Sequence, residues 1–464
     1  MAARSPGTSG VFVKLRLIPA ALTVLAVSAT AACGSGGSSS SGSGSASSGS
    51  GSASASAAAG RGSGATLTYW ASNQAATIQD DQKVLGTEMA KFKKQTGINV
   101  NVQVIGWPDL LNKILGATTS GQGPDVLNIG NTWAASLQAT GAFMPFDAAA
   151  LQAIGGKDKF VQTAFKTGGA PGKDPTSVPL YGLVYGLYYN KKMFADAGLK
   201  PPTTWEQLQT DAKKLTDPSK GTYGMAMEGG SYTESVHFAF IFGQQHGADP
   251  FNAQGKPQFT TPGMVAGVKQ YVDLMSNKVV NPSSVQYKNG PEAPGDFAKG
   301  KAAMLMSQNN ADNTLQADGM KSDAYGVVPI PAMTGNKDIA SFVAGINISI
   351  FKNTKNKAAA LKLVKFMTSP AEQAILDKPF TALPVVKNGT VNYTTNKAEA
   401  AAFADILATK AVPLPLIPAE SAYETNVGNA VNQLLAQAAT GNKVSDSDIK
   451  AALQAAQDKM ASAG

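Results

Sequence analysis

Short strand patterns alternate with helical patterns between Leu67 and Gly130, and this alternation constrains the fold of the chain more than any other feature of its sequence. "LTYW" is typical of a strand, and the apolar residues of 80–95 recur at helical spacing before the helix stop at Thr96-Gly97. "INVNVQVI" then alternates apolar and polar residues, which predicts a strand with one buried face. A second helical pattern over 108–119 and the buried strand "PDVLNIG" complete a βαβαβ order. This order predicts an α/β fold with a parallel sheet covered by helices.

Polar segments follow the first and third of these strands, at 71–74 and 130–133. In open α/β sheets ligands bind beyond the carboxyl ends of the strands, so these segments are expected to face a binding cleft. The candidate ligand-binding residues there are Trp70, Ser72, Asn73, Asn131, Thr132 and Trp133. Either tryptophan is also compatible with ordinary core packing. If Trp133 lines a cleft, Trp133→Ala should weaken binding and leave the stability of the ligand-free protein nearly intact.

Composition narrows the function classes. The chain has 39 lysines and arginines, 31 acidic residues and a formal net charge of +8. No basic cluster alternates with aromatic residues, which argues against a nucleic-acid partner. With one cysteine and two histidines, the sequence excludes disulfides and the usual zinc sites, and no cofactor or metal is expected.

The N-terminus is typical of an exported, tethered protein. A basic start with Arg4, Lys14 and Arg16 precedes an apolar run over 17–32, and Ala31 and Ala32 stand directly before Cys33. This pattern resembles a bacterial lipoprotein signal over 1–32 that leaves Cys33 for lipidation, although Thr30 stands where such signals usually carry leucine. An ordinary secretory signal with an incidental cysteine is the alternative.

The segment 33–64 continues this pattern, because after Cys33 it consists of Gly, Ser and Ala apart from Arg61. Such a composition buries too little apolar surface to fold and predicts a tether with an end-to-end distance of roughly 30 Å. About 400 residues follow it, more than one hydrophobic core normally serves, so two domains are expected.

Seven segments in this order resemble the extracellular solute-binding proteins of ABC importers, in the carbohydrate-binding group that includes maltose-binding protein. They are "TGINVNVQVIGWPDLLNKI", "GQGPDVLNIG", "LYYNKKMFADAGLKPPTTWEQL", "DFAKGKAAMLMSQ", "YGVVPIPA", "FVAGINISI" and "KAAALKLVKFMTSPAEQ". The resemblance implies a type II periplasmic-binding-protein-like fold with two α/β lobes, three hinge crossings and a ligand cleft between the lobes. Lobe 1 is expected over 65–180 and 336–382, and lobe 2 over 183–335 and 384–464.

The same resemblance implies a monomeric receptor that captures a sugar or oligosaccharide and delivers it to ABC importer permease subunits. Together with the predicted lipid anchor, it implies a location at the extracellular face of the cell membrane. Trp107 and Trp205 lie in segments that are structural in the family, so both are expected in the core.

Further cleft residues are inferred from the predicted crossings and from the second lobe. Glu234 aligns with a ligand-contacting glutamate of the maltose-binding member, and 308–310 and 418–426 fall where that member carries stacking tryptophans. The further candidates are Tyr181, Tyr185, Glu228, Ser231, Glu234, Gln308, Asn309, Asn310, Gly345, Asn347, Glu420, Tyr423 and Glu424. Either Glu228 or Glu234 is also compatible with a solvated loop.

Two other functions remain open at this point. Glu228 and Glu234 are compatible with the acid pair of an extracellular carbohydrate-active enzyme, whose chemistry depends on their separation. Several glutamates without arginine are compatible with a polyamine receptor. A phosphorylated solute is disfavoured, because no arginine follows Arg61.

Overall fold

The computed structural model describes residues 64–288 and 290–462. The predicted signal segment, the lipidation site Cys33 and nearly all of the tether lie outside the described residues. Within these two ranges, no helix combines the length and apolar character needed to cross a membrane.

The secondary structure alternates along most of the chain. The strands are β1 Thr66–Ser72, β2 Asn99–Ile105, β3 Val126–Gly130, β4 Ser177–Leu183, β5 Tyr185–Asn190, β6 Tyr223–Ala226, β7 Ala302–Gln308, β8 Tyr325–Val328, β9 Ser341–Phe342, β10 Ala344–Ile350 and β11 Ala411–Val412. The helices are α1 Ile78–Thr96, α2 Trp107–Ser120, α3 Ala134–Ala139, α4 Ala148–Ala153, α5 Gln162–Phe165, α6 Lys191–Asp196, α7 Trp205–Lys214, α8 Tyr232–Gln245, α9 Pro262–Ser276, α10 Glu292–Ala298, α11 Ala311–Ala317, α12 Lys357–Met367, α13 Pro370–Leu376, α14 Lys397–Asp405, α15 Glu420–Ala439 and α16 Asp446–Ser462.

The first sheet has the strand order β2-β1-β3-β10-β4 and is the core of lobe 1. β1 runs parallel to both β2 and β3, as the βαβαβ pattern predicts. β10 is antiparallel to β3 and β4, so the sheet is mixed and the predicted parallel arrangement holds for β1, β2 and β3. The reason is that β10 comes from a distant part of the chain, which enters the sheet from the opposite end without a crossover helix.

The second sheet has the order β6-β7-β5-β8 and is the core of lobe 2. Helix α8 packs against α9 and α15 in this lobe. Trp205 is fully buried, with its ring centroid 4.9 Å from that of Phe242, which confirms its predicted core role.

The chain passes between the two sheets at three neighbouring places. The first passage is the single residue Val184 between β4 and β5, and the second is the stretch between β8 and β10 that contains β9. The third follows α13, where Leu383 exchanges backbone hydrogen bonds of 2.8 and 3.0 Å with Gly182.

Side chains tie the three passages together. Asn309 accepts a hydrogen bond from the backbone N–H of Val184 at 2.9 Å and donates one to the carbonyl of Thr381 at 2.5 Å. The backbone N–H of Tyr185 donates to the hydroxyl of Ser341 at 2.9 Å. The two lobes are therefore joined by one hydrogen-bonded hinge.

Candidate functional site

A cavity of about 140 Å³ lies between the two sheets, and we call it the cleft. Lobe 1 contributes the residues that follow β1, β2 and β3, and lobe 2 contributes the ends of β7, α8, α11 and α15. Gly345 lets β10 approach the hinge, because a Cβ there would lie 2.6 Å from the carbonyl oxygen of Tyr181. The carboxyl ends of β1, β2, β3 and β4 meet at this edge together with the amino end of the antiparallel β10, and this edge is where the alternating pattern locates a ligand.

The loop after β1 is held in shape by Asp81 of α1. Its buried carboxylate accepts hydrogen bonds from the backbone N–H groups of Gln74 and Ala75 and from the amide of Asn73. Burial raises the pKa of Asp81 to about 6, against the opposing effect of these hydrogen bonds. Because the Asn73 amide is used within the loop, the cleft is lined here by a rigid loop rather than by a mobile side chain.

Two tryptophans form the aromatic wall of lobe 1. The rings of Trp107 and Trp133 meet edge to face, with centroids 5.6 Å apart. The indole N–H of Trp107 donates to the carbonyl of Asn73 at 2.8 Å. Trp133 is only 2% exposed, and its indole N–H donates to Glu424 of lobe 2 at 2.6 Å.

The wall of lobe 2 is acidic. Glu228, Glu234 and Glu424 line the cleft together with His237, while no lysine or arginine lines it among the described residues. Ser231 caps the N-terminus of α8 by accepting from the N–H of Glu234 at 3.2 Å, which fixes the first turn of the helix. Glu234 and His237 therefore lie one helical turn apart on the same face.

The two lobes contact each other directly at opposite sides of the cleft. On one side, Glu424 accepts from Trp133. On the other, the amide of Asn313 in α11 donates to the backbone carbonyl of Gln74 at 3.0 Å. The structure therefore has the lobes closed around the cavity.

Residues 71–374 match the family of bacterial extracellular solute-binding proteins, a span that covers more than half of the chain. The chain belongs to that family. A relative from Brucella abortus (strain 2308), a putative binding protein, is 26% identical over 341 residues, which are 73% of this chain and 81% of the relative. The diacetylchitobiose binding protein DasA of Streptomyces coelicolor is 25% identical over 409 residues, 82% of this chain and 87% of that protein.

The solved structures confirm the predicted two-lobe fold. A solute-binding protein of an ABC transporter from Thermotoga lettingae, bound with α-D-tagatose, superposes with a TM-score of 0.73 at 22% identity. The superposition covers 86% of this chain and all of that chain. The family assignment from the sequence is confirmed by the family model that matches residues 71–374.

Ten of the residues predicted to line the cleft do lie along it. These are Asn73, Asn131, Thr132, Trp133, Glu228, Glu234, Gln308, Asn310, Gly345 and Glu424. Glu234 and Glu424 come from segments far apart in the sequence, so their proximity is a consequence of α8 packing against α15.

Two residues of β1 that were predicted to line the cleft, Trp70 and Ser72, instead point into lobe 1. Trp70 is half-buried, with the ammonium of Lys113 4.5 Å from its ring centroid. Ser72 is buried and accepts from the amides of Gln74 and Asn128, both at 3.1 Å. Strand alternation explains both cases, because residues 70 and 72 of β1 are two positions apart and their side chains point to the same face of the sheet rather than beyond its edge.

Predicted hinge residues are likewise buried rather than cleft-lining. Tyr181 stacks edge to face on Phe380, and Asn347 donates to Ser177 and to the carbonyl of Thr167 inside the sheet. Asn309 is used by the hinge bonds described above. Tyr185 lies behind the cleft surface, and its hydroxyl forms hydrogen bonds with Glu234 and His237.

The remaining predicted residues that do not line the cleft lie near the helix ends of lobe 2. Ser231 is a helix cap, and Glu420 and Tyr423 are fully buried on the inner face of α15, where Tyr423 packs against Phe251. The family segment "PAESAYETN" therefore contributes only Glu424 to the cleft. Glu420 lies one helical turn before Glu424 on the same face of α15, so helical periodicity alone does not separate the two glutamates.

Sequence reasoning missed four cleft residues that matter for the site: Gln74, Trp107, His237 and Asn313. Trp107 was expected in the core; it packs against both core clusters, but it is half-buried and also lines the cleft. It directly follows β2, so the rule that selected the ends of β1 and β3 would also have selected it. His237 was detectable from its spacing of three residues from Glu234.

Proposed function

We propose that this protein captures a neutral sugar or sugar alcohol of about one ring and delivers it to the permease of an ABC importer. The observation that carries the proposal is the form of the cleft, which has an aromatic wall on lobe 1 and hydrogen-bonding carboxylates on lobe 2. Sugars present apolar C–H faces and rings of hydroxyl donors, which such walls complement. The sugars named for DasA and for the Thermotoga lettingae protein support a carbohydrate ligand.

The size of the closed cleft favours a small solute. Its volume of about 140 Å³ lies below the roughly 300–1,000 Å³ of pockets that hold drug-sized ligands, which favours a single ring over a trisaccharide. The absence of lysine and arginine from the described lining also disfavours sugar acids and sugar phosphates.

Titration calorimetry of the full chain tests the proposal. The probes are D-glucose, D-galactose, D-tagatose, ribitol, maltotriose and spermidine. We expect one-to-one binding of a single-ring sugar or a sugar alcohol, weakened at least about tenfold in Glu228→Gln, because a carboxylate acceptor is replaced. Glu206→Gln, at the exposed start of α7 and outside the cleft lining, is the matched control and should bind as the wild type does.

Other outcomes of this titration would reject the proposal. Binding of spermidine alone would make the protein a polyamine receptor, for which the acidic wall is also suitable. Release of shorter sugars from maltotriose would make it an enzyme, contrary to the binding role that we propose.

We further propose that Cys33 carries a lipid that keeps the protein at the outer face of the membrane, with 34–64 as the tether. The lobe boundaries and the monomeric state expected from the sequence belong to the same proposal. Cys33→Ser should move the protein out of the membrane fraction in a fractionation assay. Unchanged membrane association of this variant would contradict lipidation.

A further inference from the structure

A second, much smaller cavity of about 10 Å³ lies behind the lobe 2 wall of the cleft, and we call it the back cavity. Its lining comes from the end of β6 and from β7, α8 and α9. Glu228 and Glu234 line both the back cavity and the cleft, whereas Tyr271 lines only the back cavity. The two carboxylates therefore stand between the proposed solute site and the interior of lobe 2.

The hydroxyl of Tyr271 is a buried polar group that the contacts within lobe 2 leave over. Tyr271 is 1% exposed, and its hydroxyl has no hydrogen-bond partner among the residues that the structure describes. Its ring stacks on Phe238 at a centroid distance of 4.9 Å and lies 6.2 Å from Phe242, which holds the side chain in place. A buried hydroxyl without a partner is costly, so such groups normally bond to a neighbouring residue or to an ordered water.

The two glutamates provide acceptors on other walls of the back cavity. Oε1 of Glu234 accepts from the Tyr185 hydroxyl at 2.6 Å, and Oε2 of Glu228 is buried. Burial, with a further contribution from the charges of Glu234 and Glu228, raises the pKa of Tyr271 well above its ordinary value. The Tyr271 hydroxyl therefore keeps its proton and is able to donate a hydrogen bond.

The size and chemistry of the back cavity match one water molecule. A buried water needs a cavity of about 10–15 Å³ and two to four polar partners. The back cavity has a volume of about 10 Å³, and three polar side chains line it, those of Glu228, Glu234 and Tyr271. Its other lining side chains are apolar and offer a water no competing partner.

We propose that the back cavity is a binding site for one structural water, which joins the Tyr271 hydroxyl to the carboxylates of Glu228 and Glu234. The hydrogen bonds balance, because the hydroxyl donates to the water oxygen and the two water protons are donated to the two carboxylates. Tyr271 is then a positioning residue, since it acts on the cleft only through the water and the two glutamates.

The consequence for the cleft is a lobe 2 wall that is ordered before the solute arrives. A bridging water is nearly as favourable in enthalpy as a direct hydrogen bond, so it holds the two carboxylates from behind. Groups that are already ordered lose less conformational freedom on binding, which strengthens affinity. The water site itself is independent of the proposed function, and only this effect on affinity rests on it.

A crystal structure of the ligand-free full chain, at a resolution that shows ordered waters, tests the site directly. We expect one solvent peak within about 3 Å of the Tyr271 hydroxyl and of both carboxylates, the ordinary distance of such hydrogen bonds. The proposal is overturned if no peak lies there in a map that shows waters in other buried places.

Tyr271→Phe tests the water bridge in solution, also without any sugar, because it keeps the ring and removes only the hydroxyl. If the hydroxyl bonds the water, we expect the equilibrium constant of unfolding to rise about tenfold, since a buried hydrogen bond is lost. If the hydroxyl has no partner, its removal leaves that constant unchanged or lowers it. Chemical denaturation distinguishes the two results, and the second one contradicts the proposal.

The effect on affinity is measured by titration with D-glucose, D-galactose, D-tagatose and ribitol. Whichever of these binds the wild type should bind Tyr271→Phe about fivefold more weakly, because one hydrogen bond that orders the wall is missing. The control is Tyr393→Phe, at another buried tyrosine whose hydroxyl has no partner among the described residues and which lines neither cavity. It should bind as the wild type does.

Equal affinities of Tyr271→Phe and the wild type would show that Tyr271 does not position the cleft. If none of the four solutes binds, the proposed function fails, while the crystal map and the unfolding measurement still decide whether the water is present. Failure of the water site and failure of the proposed function are therefore distinguishable.

Discussion

At the scale of single residues, Trp133 has two roles that the sequence could not separate. It lines the cleft, yet its side chain is 2% exposed and packs in the core cluster with Leu110, Ile114 and Leu137. The expectation that Trp133→Ala leaves stability nearly intact is therefore replaced, because truncation of a buried aromatic residue costs about 3–5 kcal/mol.

A milder substitution isolates the hydrogen bond from the packing. Trp133→Phe leaves Oε2 of Glu424 without its indole donor, so we expect the free energy of unfolding to fall by about 1–3 kcal/mol. Chemical denaturation measures it, with Trp70→Phe at the half-buried ring beneath Lys113 as the control. Equal losses in the two variants would show that the bond to Glu424 contributes nothing.

At the scale of secondary-structure elements, the sequence predicts what depends on local periodicity. β1, α1, β2, α2 and β3 all occur within a few residues of their predicted ranges, because each pattern reports burial of one face. The antiparallel β10 was not predictable in this way, since strand order depends on long-range pairing. The same limit applies to Ser72 and Asn347, which were predicted to line the cleft but bond within the sheet, because the direction of a side chain follows from the sheet in which its strand lies.

The hinge provides a prediction at this scale. Asn309 joins the first and third passages through Val184 and Thr381, both by its side-chain amide. Asn309→Ala should lower the free energy of unfolding by about 1–3 kcal/mol, because two buried backbone groups lose their partners. The exposed Asn442→Ala, at the end of α15, is the control for thermal unfolding. A variant as stable as this control would mean that the passages are held together by their backbones alone.

At the scale of the whole molecule, the proposed tether and the proposed closure of the cleft on its solute describe one receptor. The two-lobe architecture followed from family segments spread along the chain, whereas the contacts between the lobes could not be read from sequence. Glu424 and Trp133, which bond across the cleft, are 291 positions apart in the sequence, and Asn313 and Gln74 are 239 positions apart. Such contacts depend on the relative position of the lobes, which no local pattern encodes.

The central claim is that a single-ring sugar closes the two lobes, and a distance across the cleft mouth tests it most directly. Spin labels at Asp109→Cys on α2 and Ala317→Cys on α11, both exposed, report the separation of the lobes in a Cys33→Ser background. We expect pulsed electron resonance to show a shorter and narrower distance distribution on saturation with the monosaccharide or sugar alcohol that binds in calorimetry, because its affinity is higher for the closed form. The account is contradicted if that solute binds without changing the distribution, or if only maltotriose shortens the distance.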